Sequence, residues 1–452
     1  MTLRKSAAPV DMLSGPILPH LLRFAIPLML TGVLQLLYNA ADLVVVGRYT
    51  GHEALAAVGA TSSLTNLMIN FFIGISVGAN VVISRAIGAA DNRKTASATH
   101  TAMLLGGIIG VVVGFFGFLL SPTFLTWMGT PAEVMAGASL YLRIITLGFP
   151  AALVYNFGAA VLRAGGDTRR PLYFLTVSGL VNVGMNLFLV LVFHMGVAGV
   201  AIATITSQYL SALLVIMALR RLHTPSRLSL RRLKIRRDDF IDIVRIGLPA
   251  GLQSACFNIS NVLIQSSINS FGAVAVAANT ASGNIEGFIY TVMDAFAQSV
   301  LTFTGQNIGA RQYRRVPKIL HVGLLLTFVS ALGMGVLAVL FRRPLLHLYT
   351  PDELVVDYGA ARMMIIALTY FLCGFMNNFS SSLRAMGHSL MPMLTCIGGV
   401  CGVRILIIYT WFKLAPSLTV LYLSWPISWI VTTLILLVYW IQKSRQLPAE
   451  AE

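Results

Sequence analysis

Asp42 puts a carboxylate inside a long apolar run, and it has company on its own helix face. Thr31, Gln35, Tyr38 and Asp42 recur at steps of four, three and four residues, and Asn39 widens the stripe. Further along, Asn182 and Asn186 stand four apart with Ser178 one turn earlier, and Thr204 adds a hydroxyl. A carboxylate, amide oxygens and a hydroxyl are hard oxygen donors, suited to a proton or a small monovalent cation. The other acids deep within apolar sequence are Glu286 and Asp294, which flank Tyr290 at four-residue steps. Ser254, Asn258, Asn261 and Gln265 repeat the Asp42 stripe without its charge. An ionised group at a bilayer centre costs roughly 2.5–3.5 kcal/mol, so such residues face a cavity or a partner. Two structural roles compete: hydrogen bonds between helices for the amides, and pairing with an arginine for Glu286 or Asp294.

The elements that hold these residues are membrane helices. Of 452 residues, 57% are hydrophobic and 11% charged, with a mean hydropathy of +0.80, far from soluble composition. Apolar segments fall at 21–46, 54–84, 98–121, 138–163, 171–193, 197–219, 242–270, 275–304, 318–341, 355–383, 391–412 and 417–441. Each is long enough to cross about 30 Å of hydrocarbon as a helix. Nothing alternates as a transmembrane barrel would. The expected fold is an all-α integral membrane protein of twelve transmembrane helices. Cys256, Cys373, Cys396 and Cys401 all lie in these segments and show no metal spacing.

The chain carries 32 Lys and Arg against 16 Asp and Glu, a net charge of +16. The densest basic group runs from Arg220 to Arg245 between the sixth and seventh segments. That asymmetry places both termini in the cytoplasm by the positive-inside rule. The basic stretch reads as a solvated linker near anionic headgroups, so membrane lipids are an expected partner. It lacks interleaved aromatics and a binding fold, so nucleic acid is not expected. The first apolar run is too long for a signal peptide and has no small-residue cleavage site.

At a shift of about 221 residues the chain resembles itself. The sequence 87-IGA-89 meets 308-IGA-310, 162-LRA-164 meets 383-LRA-385, and Asn156, Gly166 and Pro171 meet Asn377, Gly387 and Pro392. Six spans per copy is an even number, so both copies enter the membrane from the same side. Parallel repeats with a site near the midplane are a transporter design. The expected division is residues 1–219, a linker at 220–241, and residues 242–452.

Taken in order, Pro27, Asp42, 84-SRAIGA-89, 163-RAGGDTRRP-171, 196-GVAGVAIATITSQ-208, Pro249, 305-GQNIGA-310 and 384-RAMGHSLMP-392 resemble the MATE (multidrug and toxic compound extrusion) transporters of bacterial type over essentially the whole chain. The resemblance implies two pseudo-symmetric six-helix lobes in a V-shaped bundle in the bacterial inner membrane. It further implies export of amphipathic, often cationic small molecules against an inward H+ or Na+ gradient. No His and acid cluster at metal spacing and no nucleophile motif stands in the spans, so no enzymatic step is expected, and a monomer without a cofactor is expected. The coupling site that it implies is Asp42, Asn182, Asn186 and Thr204, with Asn156 nearby, and a sodium ion would use those four oxygen-bearing residues. Relatives often have Asp where this chain has Asn186, which tilts the expectation toward protons. Phe257 and Asn258 stand where one branch has a seventh-span Glu, while Glu286 and Asp294 resemble eighth-span acids of other branches. With Tyr290, Gln265 and Asn261 they form the expected second-half site, and Gln35, Tyr38 and Asn39 the expected cavity stripe. The nearest alternative is a lipid-linked oligosaccharide flippase of the same superfamily. A flippase would need a strongly cationic cavity, and few arginines are expected mid-span.

Overall fold

The computed structural model describes residues 9–50 and 52–448, with the backbone alone for residues 43 and 52–55. Among the described residues every span is helical and there is no strand. The twelve spans are Ile17–Tyr49, His52–Gly88, Asn92–Trp127, Ala132–Leu147 with Phe149–Ala164, Arg169–Val192, Gly196–Arg220, Arg237–Asn269, Ala273–Gly309, Arg315–Leu340, Glu353–Ala385, Leu390–Leu414 and Leu418–Arg445. Most overrun the apolar segments at both ends, because the helix continues past the hydrocarbon as polar turns. Ten of them are apolar enough to cross a membrane by composition, and the bent fourth makes eleven. The eighth, Ala273–Gly309, is 37 residues long but falls short of that apolar composition; it carries Glu286 and Asp294.

Three spans are less regular than their apolar runs suggest, the fifth ending in a π-helical turn at Phe188–Val192. The fourth bends by 44° after Leu147. Pro150 lacks an N–H and its ring crowds the preceding turn, so the helix kinks at Gly148–Pro150. The eleventh opens into a π-helical stretch at Ile397–Gly402, where Gly398, Gly399 and Gly402 remove the side chains that would hold a tight α-helical turn.

The chain divides into two compact units. One takes in Leu30–Gly251 with residues 9–10; the other takes in Asp11–Met29 and residues 252–448. Both divisions fall inside helices, near Pro27 in the first span and Pro249 in the seventh. In the first unit the fourth span packs against the second, third and sixth; in the second unit the tenth span packs against the eighth, ninth and twelfth. The early part of the first span joins the second unit through Phe24, edge-on to Phe303 at 5.7 Å, and through Met12 O, which accepts from Asn307 Nδ2 at 2.9 Å. The early part of the seventh span joins the first unit by close backbone approach. A Cβ on Gly74 would stand 2.5 Å from Gly251 Cα, and one on Gly251 would stand 2.6 Å from Phe71 O. Gly74 and Gly78 thus face Gly247 and Gly251, a small-xxx-small crossing in which both helices contribute the small pair.

The repeat is also written into the turns. Ala90 and Arg311 end the second and eighth spans with φ of 51° and 59°, and Gly166 and Gly387 follow the fourth and tenth with φ of 87° and 89°. At Ala90 the amides of residues 90 and 91 return to Ile87 O and Ala86 O; at Arg311 those of 311 and 312 return to Ile308 O and Asn307 O. These are left-handed helix stops of the Schellman kind.

Candidate functional site

In the first unit, three spans bring the Asp42 group together. Tyr38, one turn before Asp42, lays its ring over Gly179 of the fifth span, where any Cβ would collide with it. Its hydroxyl donates to Thr176 O at 3.3 Å. That contact fixes the face on which Asp42 meets the fifth span. Asn186 Nδ2 donates to Asp42 Oδ1, and lies 3.5 Å from Asn182 Oδ1. Asn182 Nδ2 in turn reaches Thr204 Oγ1 at 3.5 Å, and Thr204 donates to Val200 O at 3.0 Å. Asp42, Asn186, Asn182 and Thr204 therefore form one continuous polar chain. Asn182 and Asn186 are buried, whereas Asp42 is half-buried.

Two features of this chain bear on chemistry. Among the described residues Asp42 makes no ion pair with Lys, Arg or His. Beside it Asn186 Oδ1 is buried without a hydrogen-bond donor. A carboxylate next to an orphaned amide oxygen is an acceptor-rich spot, and it accommodates a proton or a bound cation better than it does nothing. Below it, Val45, Val46, Val58, Val190 and Val200 form an apolar cluster, with Tyr141 and Val197 packed against it. Tyr141, in the electrostatic field of Asp42, has no counterpart in the sequence reading; a tyrosine in an apolar segment carries no signal of which neighbour it meets. Asn156 stays apart from the chain: its Nδ2 donates to Ala152 O of its own helix at 2.9 Å. Gln35 and Asn39 stand exposed on the first span.

The second unit is built around arginines. Glu286 is 2% exposed and Arg362 6%. They pair through two bonds, Nη2 to Oε2 at 2.7 Å and Nε to Oε1 at 3.2 Å. Arg362 Nη1 also donates to Asn279 Oδ1, Asn279 Nδ2 donates to Gln265 Oε1 at 2.5 Å, and Gln265 Nε2 donates to Asn269 Oδ1 at 2.9 Å. Pairing with an arginine is thus the role that Glu286 takes. Asp294 and Tyr290 both lie in the electrostatic field of Arg384. Asn261 accepts from Arg404 Nη1 at 2.9 Å.

Arg404 is 1% exposed and bonds only to neutral partners among the described residues: Ser428, Ser260 and Asn261. Trp425 lies between the two cations, its ring 5.0 Å from the Arg362 guanidinium and 5.2 Å from that of Arg404. The expectation of few mid-span arginines therefore needs correction for this unit. Arg362 stands inside the apolar segment 355–383, and that placement alone was its signal. It can be buried because Glu286 neutralises it.

Compared with known proteins, the chain matches the MatE family profile twice, over residues 27–188 and 249–410, one match per repeat. It is 28% identical over 390 residues to the probable multidrug resistance protein YoeA of Bacillus subtilis, covering 84% of each chain. It is 26% identical over 403 residues to the probable multidrug resistance protein NorM of Thermotoga maritima, covering 87% of this chain and 85% of that one. A solved MOP-superfamily transporter from Pyrococcus furiosus superposes with a TM-score of 0.92 at 22% identity, over 98% of this chain and 99% of that one. Twelve helical spans, two copies of one profile and this likeness along almost the whole length point to transport across a membrane rather than to an enzyme. The chain belongs to the MatE family, the multidrug and toxic compound extrusion transporters.

Proposed function

We propose that the chain is a secondary active exporter of amphipathic small molecules, organic cations among them, driven by inward proton movement through Asp42. The observation that carries this reading is the state of Asp42: a half-buried carboxylate with an amide partner and, among the described residues, no countercharge. Glu286, by contrast, is held by a bidentate guanidinium and is not free to exchange a proton. That the relatives YoeA and NorM are named as multidrug resistance proteins supports small-molecule export.

Chemically, the carboxylate and Asn186 form a two-position reader of one proton. With Asp42 ionised, Asn186 presents Nδ2, as the hydrogen bond requires. A protonated Asp42 becomes a donor and satisfies Asn186 Oδ1, the buried acceptor that has no partner. Protonation therefore rewrites the bond between the first and fifth spans, and the two arrangements favour different states of an alternating-access cycle. Asn182 and Thr204 extend the rearrangement to the sixth span. The same four residues could coordinate sodium; a single carboxylate favours the proton. The basic residues of the 220–245 stretch support a cytoplasmic location for it and for both termini; an inner-membrane location and one chain as the working unit belong to the same proposal.

The flippase alternative draws on Arg362 and Arg404. Glu286 neutralises the first, which leaves one cation, too few for a pyrophosphate carrying several negative charges. The deciding experiment is efflux of ethidium from proteoliposomes under an imposed pH gradient. Asp42→Asn should retain ethidium binding and lose gradient-driven transport; transport at the wild-type rate would sink the coupling role.

A further inference from the structure

The linker folds onto helix ends of the first unit and borders an open cavity of about 1400 Å3, while its arginines stand exposed to solvent. Leu228 and Ser226 are buried at 3% and 5% exposure. Leu228 N donates to Leu219 O at 3.0 Å, Ser229 N to His100 Nε2 at 3.0 Å, and Arg236 N to Thr101 Oγ1 at 3.2 Å. Arg227 Nε returns to Arg220 O at 3.2 Å. His100 is itself held, with Nδ1 at 2.7 Å from Ala96 O. The linker is thus tied to the third and sixth spans at several points along its length.

This fixed frame concentrates charge of one sign. Seven arginines and one lysine line the cavity, from Arg93 on the third span, through Arg220 and Arg221 at the end of the sixth, to Arg236 of the linker. No Asp or Glu is among the lining residues. The nearby acids Asp239 and Asp242 are committed to Lys94, at 3.2 and 2.7 Å. Positive-inside topology requires basic residues in a cytoplasmic loop, but it does not require the loop to be pinned so that its cations line one open cavity. Like charges gathered in that way repel unless an anion joins them. Guanidinium forks match phosphate oxygens two at a time, and a phosphate monoester carries about −1.5 to −2 at neutral pH.

We propose that this cavity binds a polyphosphorylated anion, with two or more phosphates meeting the converging cations. Clustered phosphates of this kind are offered by a membrane lipid with two phosphodiesters in its headgroup region, each carrying one negative charge, and by a free polyphosphate. The proposal goes beyond the transport reading, and its test uses binding alone.

Full-length protein in phosphatidylcholine nanodiscs would be titrated with tripolyphosphate by calorimetry. In a second arm, retention of cardiolipin against phosphatidylcholine would be counted by native mass spectrometry. The expected result is saturable one-to-one binding in at least one arm, weakened tenfold or more by the R231Q/R232Q/R236Q variant and by R93Q/R220Q. Binding in the cardiolipin arm alone identifies the membrane as the source, and binding in the tripolyphosphate arm alone a free anion; either supports the site. The proposal is overturned if neither ligand binds saturably, if the cavity variants bind as wild type does, or if R311Q/R314Q/K318Q, which removes equal charge elsewhere, weakens binding as much.

Discussion

At the scale of single residues, two carboxylates inside one membrane protein differ because of what faces them. Asp42 meets an amide and Glu286 meets a guanidinium that grips both of its oxygens. Removing one member of a buried pair strands the other, at a cost of about 3–5 kcal/mol, whereas replacing both with apolar groups of similar volume can be neutral. Glu286→Gln should therefore lower the thermal midpoint of the detergent-purified protein strongly, and the Glu286→Leu/Arg362→Met double variant should recover most of the loss. A single variant as stable as wild type would show that the pair contributes nothing. The difference between the two acids was only half legible. The spacing of Asp42, Asn182 and Asn186 put each on a polar face, and the family resemblance grouped them. Arg362, however, lies 76 residues from Glu286. Helical periodicity says which face a residue occupies, and says nothing of which distant helix covers that face. Tyr141 escaped the sequence reading for the same reason.

At the scale of elements, the spans were legible as apolar runs, but their interruptions and crossings were not. A hydropathy window averages over Gly148–Pro150 and over the glycines of the eleventh span, where side-chain volume and a missing N–H decide the geometry. The crossing of Gly74 and Gly78 with Gly247 and Gly251 was equally hidden, since small residues four apart are common in apolar helices and gain meaning only from a partner. That crossing gives a test with opposite signs at two glycines. Gly247→Ala places a methyl against Ile75, whose Cα would be 2.9 Å away, and overpacking of this kind costs about 1–3 kcal/mol. Gly283→Ala, in the eighth span, meets nothing within 4 Å, and gains roughly 0.5–1 kcal/mol from reduced backbone freedom. Thermal midpoints of the two variants should fall on either side of wild type. If both rise, the helices can separate without loss and the crossing carries no stability.

At the scale of the whole molecule, the repeat was legible because both copies preserve their turns: Ala90 with Arg311, and Gly166 with Gly387, share left-handed backbones as well as positions. The boundaries of the compact units were not, since an apolar helix looks alike along its length while Phe24 packs in one unit and Leu30 onward in the other. The repeat is symmetric in backbone and asymmetric in charge. The first unit holds its acid without a countercharge among the described residues, and the second holds its most buried acid in an ion pair. Only the former can change occupancy at modest cost, so one coupling proton per transport cycle is expected. Proteoliposomes with pH and sodium gradients set independently, and the membrane potential clamped, would measure it. Ethidium efflux should follow the pH gradient with a slope of one proton per cation and continue unchanged when sodium is replaced by N-methylglucamine. Loss of efflux without sodium would assign the Asp42 group to sodium instead. A slope of two would require a second titrating acid, with Asp294 the residue to replace next.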